Sequence, residues 1–492
     1  MRALLVTSAG VTCAMALTLP LATSATAAPA PDLHSASFRP PSTSPASPGA
    51  GPPAVRAGAA EPAGSTQSLP LAPLAASSDR VAGAPAAQGL PQRDARPFSL
   101  VGVVWDDPEA ELHGTVQVRT RTTGTTRWSE WQDVETHDAE HAADLGSAER
   151  EGRTVRGATA PLWVGDSDGV EVRVRPRSPE ASDHHGSAQP QDRAATPVPL
   201  PEGLRLELVD PGEDPAPEPA RSATTGRAAV TPAVFADTPP TAAVLPEALT
   251  AEVAAASAVN AELAELGATA IPALTQKETL ESVNAAPGAK PYIGPRPKII
   301  TRKGWGADEK LRERNFAYTK TVKAAFVHHS ATGNNYTCKQ APSVLRSIYR
   351  YHVKSSGWRD FGYNFAVDKC GNIYEGRAGG VSKAVLGAHT LGFNTNTMGI
   401  AVLGSYGSTN PPAAAVTAVS KLTAWKLGLF GANPKGKVTL VSGGSNKYRA
   451  GVKVSMNVIS GHRDGFATEC PGARLYKKLG TARTSSAKLQ GR

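Results

Sequence analysis

The stretch Ala324-Ala325-Phe326-Val327-His328-His329-Ser330 joins an uninterrupted apolar run to two histidines, and it decides the fold class of the C-terminal region. A short apolar run of this kind is typical of a strand that is buried on both faces, as in the sheets of α/β proteins. Residues 326–329 are therefore predicted to form an interior strand. His328 is then either a satisfied core histidine or a functional group at the end of that strand.

The segments that follow predict a mixed sheet with helices on its faces. A proline followed by apolar residues at three- and four-residue spacing predicts an amphipathic helix that starts near Pro342. Further strands are predicted at 363–368, 373–375 and 399–404, and a second helix at about 413–429. We therefore predict an α/β domain, with a mixed central β-sheet and flanking helices, over residues 294–480.

Two more potential metal ligands, His462 and Cys470, lie in the sequence GHRDGFATECPG at 461–472. Two imidazoles and one thiolate are good zinc ligands, and three protein ligands leave a fourth position open, as in catalytic zinc sites. His328, His462 and Cys470 are therefore predicted to bind one catalytic Zn²⁺. Tyr363 and Thr468 are candidates for orienting water and stabilising an oxyanion. The alternative for Cys470 is a thiol that is merely buried.

The protein is predicted to be secreted, and its N-terminal half is predicted to be only partly folded. Residues 1–27 resemble a signal peptide, with Arg2, an apolar stretch and a small-residue cleavage site. That stretch is broken by polar residues and Pro20, so we expect no transmembrane anchor. Residues 28–93 are predicted to be a Pro/Ala-rich disordered segment. Alternating strands predict an antiparallel β-sandwich-like domain at 94–210, with long loops near 137–155 and 178–193. Residues 211–293 are predicted to be a linker with one possible helix near 246–266, and 481–492 a basic tail.

The distribution of charge along the chain indicates which binding partners the protein favours. Residues 294–492 hold 31 Lys and Arg against 8 Asp and Glu, a net charge of +23, within a chain of net charge +9. A basic secreted domain favours anionic cell-wall polymers, whereas no nucleic-acid motif is present.

Without the signal peptide three cysteines remain, so the economical arrangement is a Cys338–Cys370 disulfide with Cys470 on the metal.

Five sequence motifs occur in the same order as in one known protein family. They are VHHSATG at 327–333, SSGWRDFGYNF at 355–365, GNIYEGR at 371–377, GAHTLGFNTNTMGI at 387–400 and GHRDGFATECPG at 461–472. Over about 295–480 the chain resembles the peptidoglycan recognition protein family, also known as the type 2 amidases. The resemblance implies a secreted, cell-wall-associated and zinc-dependent N-acetylmuramoyl-L-alanine amidase. We expect a monomer.

The resemblance also assigns roles to individual residues. It implies the same three zinc ligands, Tyr363 as the catalytic tyrosine, and Thr468 at the position two before the cysteine. It further implies that muropeptides and peptidoglycan bind along a cleft formed by His329, Ser330, His352, Gly357, Trp358, His389 and Asn396. Asn396 stands where the family often has an arginine that contacts the diaminopimelate carboxylate, so the preferred stem peptide stays open.

Several alternatives remain at this point. His329, His352 and Trp358 could belong to the core instead of the cleft, and Trp105, Trp128 and Trp131 could form either a core or a sugar-stacking surface. A second hypothesis for the whole protein is a binding module that recognises muropeptides without cleaving them. A third is a structural-zinc protein that binds acidic polymers.

Overall fold

The computed structural model describes residues 64–74, 87–136, 141–147, 149–177, 198–215, 249–283 and 291–492. The predicted signal peptide at 1–27 lies outside the described residues. So do much of the predicted disordered segment, all of the loop at 178–193 and residues 216–248 and 284–290 of the predicted linker. In the part of the chain that is described, no helix has the length and apolar character needed to cross a membrane.

The N-terminal domain is an antiparallel β structure, as the alternating pattern predicts. Its strands are β1 Ser65–Pro70, β2 Ala72–Pro73, β3 Gln88–Trp105, β4 Gly114–Thr122, β5 Gln132–Val134, β6 Gly157–Ala158, β7 Leu162–Pro176 and β8 Arg205–Asp210. They form one sheet in the order β1-β8-β3-β7-β4-β5, with β2 and β6 on β3. Register shifts between β3 and β7 interrupt the pairing of these two long strands, as β-bulges do. Trp105 is in the core of this domain.

This domain begins before residue 94, so the predicted boundary and the predicted disorder up to residue 93 are wrong for the described residues. β1 pairs along its whole length with β8, and β3 already starts at Gln88. The strand at Ser65–Pro70 is polar and carries two of its six residues in exposed positions. Its order comes from backbone pairing with a partner about 140 residues away, which leaves no alternating pattern in its own sequence.

The C-terminal domain contains the predicted mixed sheet. Its strands are β9 Ala270–Ile271, β10 Ile299–Ile300, β11 Ala324–His329, β12 Phe365–Val367, β13 Ile373–Glu375, β14 Thr397–Val402 and β17 Ile459–Gly461. They lie in the order β17-β11-β14-β12-β13-β10-β9, and β11 is parallel to both of its neighbours. Every residue of β11 is buried, as its apolar sequence predicts. β15 Lys437–Val441 and β16 Lys453–Asn457 form a separate hairpin.

The helices lie at both ends of the domain's sequence and between its strands. They are α1 Ala251–Ala258, α2 Gln276–Ser282, α3 Arg302–Trp305, α4 Ala341–Arg350, α5 Ala413–Leu429, α6 His462–Gly465, α7 Ala473–Tyr476 and α8 Leu479–Gln490. A π-helical turn at Tyr351–Ser355 continues α4. The structure also contains the Cys338–Cys370 disulfide, with the two Cα atoms 6.2 Å apart.

Two segments that were predicted to be peripheral belong to the folded domain. The predicted helix near 246–266 is shorter, and Asn260 just after it donates a hydrogen bond to Glu375 over 2.8 Å. The predicted basic tail is most of α8, where Ser486 is fully buried and accepts a hydrogen bond from Thr423. Both segments are rich in Ala and polar residues, so packing against the domain determines their structure more than their own sequence pattern does.

The two domains share one hydrophobic cluster. Leu100, Val104 and Trp163 of the β domain pack in the same buried group as Tyr349 and Tyr351 of the C-terminal domain. The Tyr351 hydroxyl donates a hydrogen bond to the carbonyl oxygen of Thr159 over 3.0 Å. The β domain is therefore fixed against the C-terminal domain by a core-like contact.

A buried ion-pair network near α3 provides a test of the fold's stability. The Arg302 guanidinium lies 2.7 Å from Glu309 and 3.0 Å from Asp360, with all three side chains at most 7% exposed. Replacing Arg302 with alanine should lower the free energy of unfolding by about 3–5 kcal/mol, because buried Asp360 loses its counter-charge and Glu309 keeps only its pair with Arg312. Urea unfolding measures this change. Lys277→Ala is the control, since it breaks only the exposed pair with Glu281 and should leave the unfolding midpoint in place. Equal midpoints for both variants would contradict the role of the network.

Candidate metal centre

The register of two parallel strands brings the first two predicted ligands together. Val327 of β11 lies opposite Gly461 of β17, so the next residues, His328 and His462, leave the same edge of the sheet side by side. Their ring centroids are 4.6 Å apart, and both residues are fully buried. Functional groups of open α/β sheets commonly gather at this carboxyl edge of the parallel strands.

The loop after α6 carries the third predicted ligand to the same place. Cys470 is fully buried, and its sulfur lies 3.8 Å from Nδ1 of His328. Two hydrogen bonds hold the loop: Arg463 N–H donates to the Cys470 carbonyl, and the Cys470 N–H donates to the Thr468 hydroxyl over 3.1 Å. Thr468 thus lies at the rim of the centre and shapes the cysteine loop.

Sequence reasoning missed the fourth member of the cluster, His141 of the β domain. One ligand atom from each of His141, His328, His462 and Cys470 lies within 4.8 Å of the other three. The His141 ring centroid is 4.5 Å from that of His462 and 5.2 Å from that of His328. Residue 141 falls in the acidic insertion that the sequence identified only as a long loop, and nothing in its local pattern distinguishes it.

The donor set fits a zinc ion. Bonds of about 2.0–2.3 Å in tetrahedral geometry place neighbouring ligand atoms roughly 3.3–3.8 Å apart. The 3.8 Å separation of Cys470 Sγ and His328 Nδ1 falls at this spacing. The other ring nitrogen of His328, Nε2, lies 3.4 Å from the Thr390 hydroxyl, which is the kind of outer partner that orients a ligating imidazole.

The electrostatics of the cluster favour the protonation states that bind metal. Burial and the neighbouring His462 hold the pKa of His328 well below its usual value, so this imidazole is neutral. Burial alone would raise the pKa of the Cys470 thiol, but the neighbouring His329 and the hydrogen bond from His141 lower it. Burial likewise lowers the pKa of His329, yet the Cys470 thiolate and Glu135 outweigh it and raise that pKa to about 10. A neutral imidazole and a thiolate are the forms that coordinate zinc.

Tyr363, the other predicted catalytic group, lies beside the cluster. It precedes β12, is 3% exposed, and its ring centroid lies 5.2 Å from that of His328 and 5.7 Å from that of His141. Phe361 packs edge-on against its ring at 5.7 Å, which restricts the ring's orientation. The phenol is therefore held close to the ligands without being one of the four clustered donors.

The residues predicted to form the cleft divide into three groups. His352, Trp358 and His389 lie around the cluster: the first two stack at 4.4 Å, and the His389 ring lies 5.4 Å from His328. Ser330 and Asn396 instead make structural hydrogen bonds. The Ser330 hydroxyl accepts from Gly404 N–H, and the Asn396 side chain accepts from the Thr319 hydroxyl over 2.8 Å.

His329 and Gly357, the remaining two, contact the β domain. Nε2 of His329 lies 3.3 Å from Oε1 of Glu135. Gly357 has a φ of +79°, and a Cβ at this position would lie 2.2 Å from the carbonyl oxygen of Thr154. Only glycine fits so close an approach. Asn394, which the sequence did not single out, accepts hydrogen bonds from the backbone of His389 and Thr390 and so fixes the loop beside the cluster.

Comparison with known proteins identifies relatives of both domains. Residues 318–473 match a family model described as N-acetylmuramoyl-L-alanine amidase, and residues 53–198 match one described as Rv3811 N-terminal galactose-binding domain-like. Peptidoglycan-recognition protein SC2 of Drosophila melanogaster is 31% identical over 185 residues, which cover 37% of this chain and 85% of that protein. The human N-acetylmuramoyl-L-alanine amidase is 32% identical over 189 residues, 38% of this chain and 28% of the human protein. The solved structure of wild-type Drosophila PGRP-LB matches 37% of this chain and 92% of its own, with 24% identity and a TM-score of 0.30.

Proposed function

The chain belongs to the family of peptidoglycan recognition proteins and N-acetylmuramoyl-L-alanine amidases, and we propose that it is a secreted, zinc-dependent enzyme of this family. The bond that it cleaves is the amide between N-acetylmuramic acid and L-alanine in bacterial peptidoglycan. The observation that carries this proposal is the buried cluster of His328, His462 and Cys470 beside Tyr363. A protein that only binds muropeptides has no need of a cysteine and two histidines clustered at this spacing.

The metal-binding residues have distinct tasks in this proposal. His328 and His462 present their imidazoles from adjacent parallel strands, His328 in its neutral form, and Cys470 adds the one negative charge. Zinc in such a site acts as a Lewis acid that polarises a carbonyl oxygen and lowers the pKa of water. Thr390 keeps His328 oriented through Nε2, while Thr468 holds the loop that carries Cys470.

Tyr363 is the group proposed to stabilise charge on the substrate. Its ring is held next to His328 by Phe361, so the phenolic hydroxyl needs no reorganisation to donate a hydrogen bond to the scissile carbonyl oxygen. A fixed donor aimed at the developing oxyanion is worth most in a buried site, where water does not screen it. His352, Trp358 and His389 would then form the wall along which the muropeptide lies.

The charge of the C-terminal domain supports a second element of the proposal. Residues 294–492 carry a net charge of +23, which attracts anionic cell-wall polymers over long distances. This attraction keeps the enzyme at the wall. Because exposed charges are screened by salt, binding to isolated walls should weaken as ionic strength rises.

Mass spectrometry of the products from a defined muropeptide tests the reaction. An N-acetylmuramoyl tripeptide should yield the free tripeptide with an N-terminal L-alanine and the intact N-acetylmuramic acid. Release should stop when a chelator removes the metal and return when Zn²⁺ is restored. A chain that retains the muropeptide but releases no peptide, with or without chelator and also after His141→Ala, is a binding protein. Cleavage inside the peptide or the glycan would contradict the proposed bond.

A further inference from the structure

One segment of the β domain lies over the metal centre and the cleft beside it. We call it the covering segment: residues 135–136, 141–147 and 149–156 between β5 and β6, with 137–140 and 148 outside the described residues. His141 and Glu149 of this segment are 4% and 7% exposed, although the segment connects two strands. Connections normally run over the surface, so burial of two ionisable side chains requires specific partners.

Two residues just after His141 in the covering segment, Ala142 and Asp144, are hydrogen-bonded to the C-terminal domain. One carboxylate oxygen of Asp144 accepts hydrogen bonds from Gly392 N–H and from the Asn394 amide, over 2.7 and 2.8 Å. The same Asn394 amide donates to the Ala142 carbonyl over 3.0 Å. These bonds hold the residues that immediately follow His141 against the loop beside the metal ligands.

Charged groups fasten the rest of the segment. Glu149 forms a buried ion pair with Arg377, in which both side chains are 5% exposed. Arg153 pairs with Glu313 over 2.5 Å and donates a hydrogen bond to the Trp358 carbonyl over 3.2 Å. At its start Glu135 faces His329, at 3.3 Å. The segment is thus attached at several points along its length, on both sides of His141.

These attachments coincide with the proposed muropeptide cleft. His329, Gly357 and Trp358 are cleft positions, and each is in contact with Glu135, Thr154 or Arg153 of the covering segment. A substrate that reached the zinc ligands along this wall would have to occupy the volume of the segment. Binding of substrate and seating of the covering segment therefore exclude each other.

From these contacts we propose that His141 is a fourth protein ligand of the metal ion and that the covering segment keeps the enzyme latent. The proposal rests on the proposed function for the identity of the reaction, but the ligand assignment rests on the four-donor cluster alone. Three protein ligands leave a coordination position for a water molecule or substrate, whereas four close the site. A histidine supplied by the other domain thus converts an open centre into a closed one.

Opening must be local to the covering segment. The domains share a hydrophobic cluster that includes Leu100, Val104 and Trp163, and separating them would expose this apolar surface to water. The covering segment is instead held by hydrogen bonds and ion pairs, and its turn at Leu145 is accessible, since Leu145 is 51% exposed. Displacement or cutting of this segment would release His141 while the β domain stays docked.

Cobalt substitution tests the ligand assignment without relying on activity. Co²⁺ is substituted for Zn²⁺ in the full chain. The visible absorption spectrum of bound Co²⁺ depends on its protein ligands and changes when an added anion binds to it. Azide should leave the spectrum of the parent protein unchanged, because no position is open, and should shift that of His141→Ala. His113→Ala removes an exposed histidine of the same domain and should behave as the parent does. An azide shift of the same size in all three proteins would overturn the assignment.

Cleavage of the N-acetylmuramoyl tripeptide by the zinc forms tests latency. His141→Ala should raise kcat/KM by at least about tenfold. This is the increase expected if the closed state, with His141 on the metal, holds about 90% or more of the parent molecules. His141→Asn, which retains a side chain of similar size, serves if the alanine variant does not fold. Equal kcat/KM for parent and variant would overturn latency and leave the amidase intact. If no form cleaves, but azide separates parent from variant, the proposed reaction fails and the ligand assignment stands.

Discussion

Replacing Cys470 with serine is expected to abolish zinc retention and to reduce amide cleavage by more than 100-fold. The thiolate is the only anionic donor of the cluster, and a serine hydroxyl stays protonated and binds zinc weakly. Loss of an outer partner of a ligand already costs roughly 10–100-fold in metal affinity or activity, so loss of the ligand itself must cost more. Elemental analysis after dialysis against a weak chelator measures the first effect, and peptide release measures the second.

The ligand variant needs a control that separates the metal site from the fold. Serine is close to cysteine in size, so the fully buried position should stay packed and circular dichroism should be unchanged. His462→Ala should lose zinc in the same way, whereas His113→Ala removes an exposed histidine and should retain one zinc per chain. Because the covering segment limits turnover in our proposal, activity is compared in the parent and in the His141→Ala background. One zinc per chain in Cys470→Ser would exclude Cys470 as a ligand.

Replacing Tyr363 with phenylalanine is expected to lower kcat by roughly 10²–10³-fold while zinc content stays at one per chain. The change removes only the hydroxyl, and removal of a single oxyanion-stabilising donor typically has this effect. The ring keeps its contacts with His328 and Phe361, so the thermal unfolding temperature should not change. KM for the muropeptide should also change little, because the proposed hydrogen bond strengthens in the transition state.

The matched control for this variant is Tyr292→Phe, at a tyrosine 48% exposed that packs under Arg492, just after the end of α8. It removes the same hydroxyl from a residue outside the site and should leave kcat unchanged. If Tyr363→Phe retains the kcat of its background, Tyr363 does not stabilise the reaction. If it loses zinc together with kcat, the tyrosine acts by holding the metal centre and not on the substrate.

Much of the C-terminal domain could be predicted from local patterns. An interior strand was predicted at 326–329, and the structure has the slightly longer β11 there, with every residue buried. The helix at 413–429 was predicted from its amphipathic spacing, and α5 has these bounds. Predictions from such patterns succeed because side-chain directions repeat with a fixed period in strands and helices. Apolar residues on a buried face therefore recur in the sequence at that period. The polar strand β1 escaped prediction, since its order comes from a distant partner, and so did the packing of the helix predicted near 246–266 against the domain.

The sequence by itself determined the chemistry of this protein: two imidazoles, one thiolate and a tyrosine, in segments whose strand and loop character could be recognised. Their types and order are local properties, and parallel pairing of β11 with β17 is enough to place His328 beside His462. Only the tertiary structure decided whether this centre is open. His141 reaches it because two domains dock through a shared core, and Asp144 and Glu149 then find partners more than 220 residues away. Contacts so distant in sequence leave no periodic pattern, so no reading of the acidic loop alone could place its histidine on the metal.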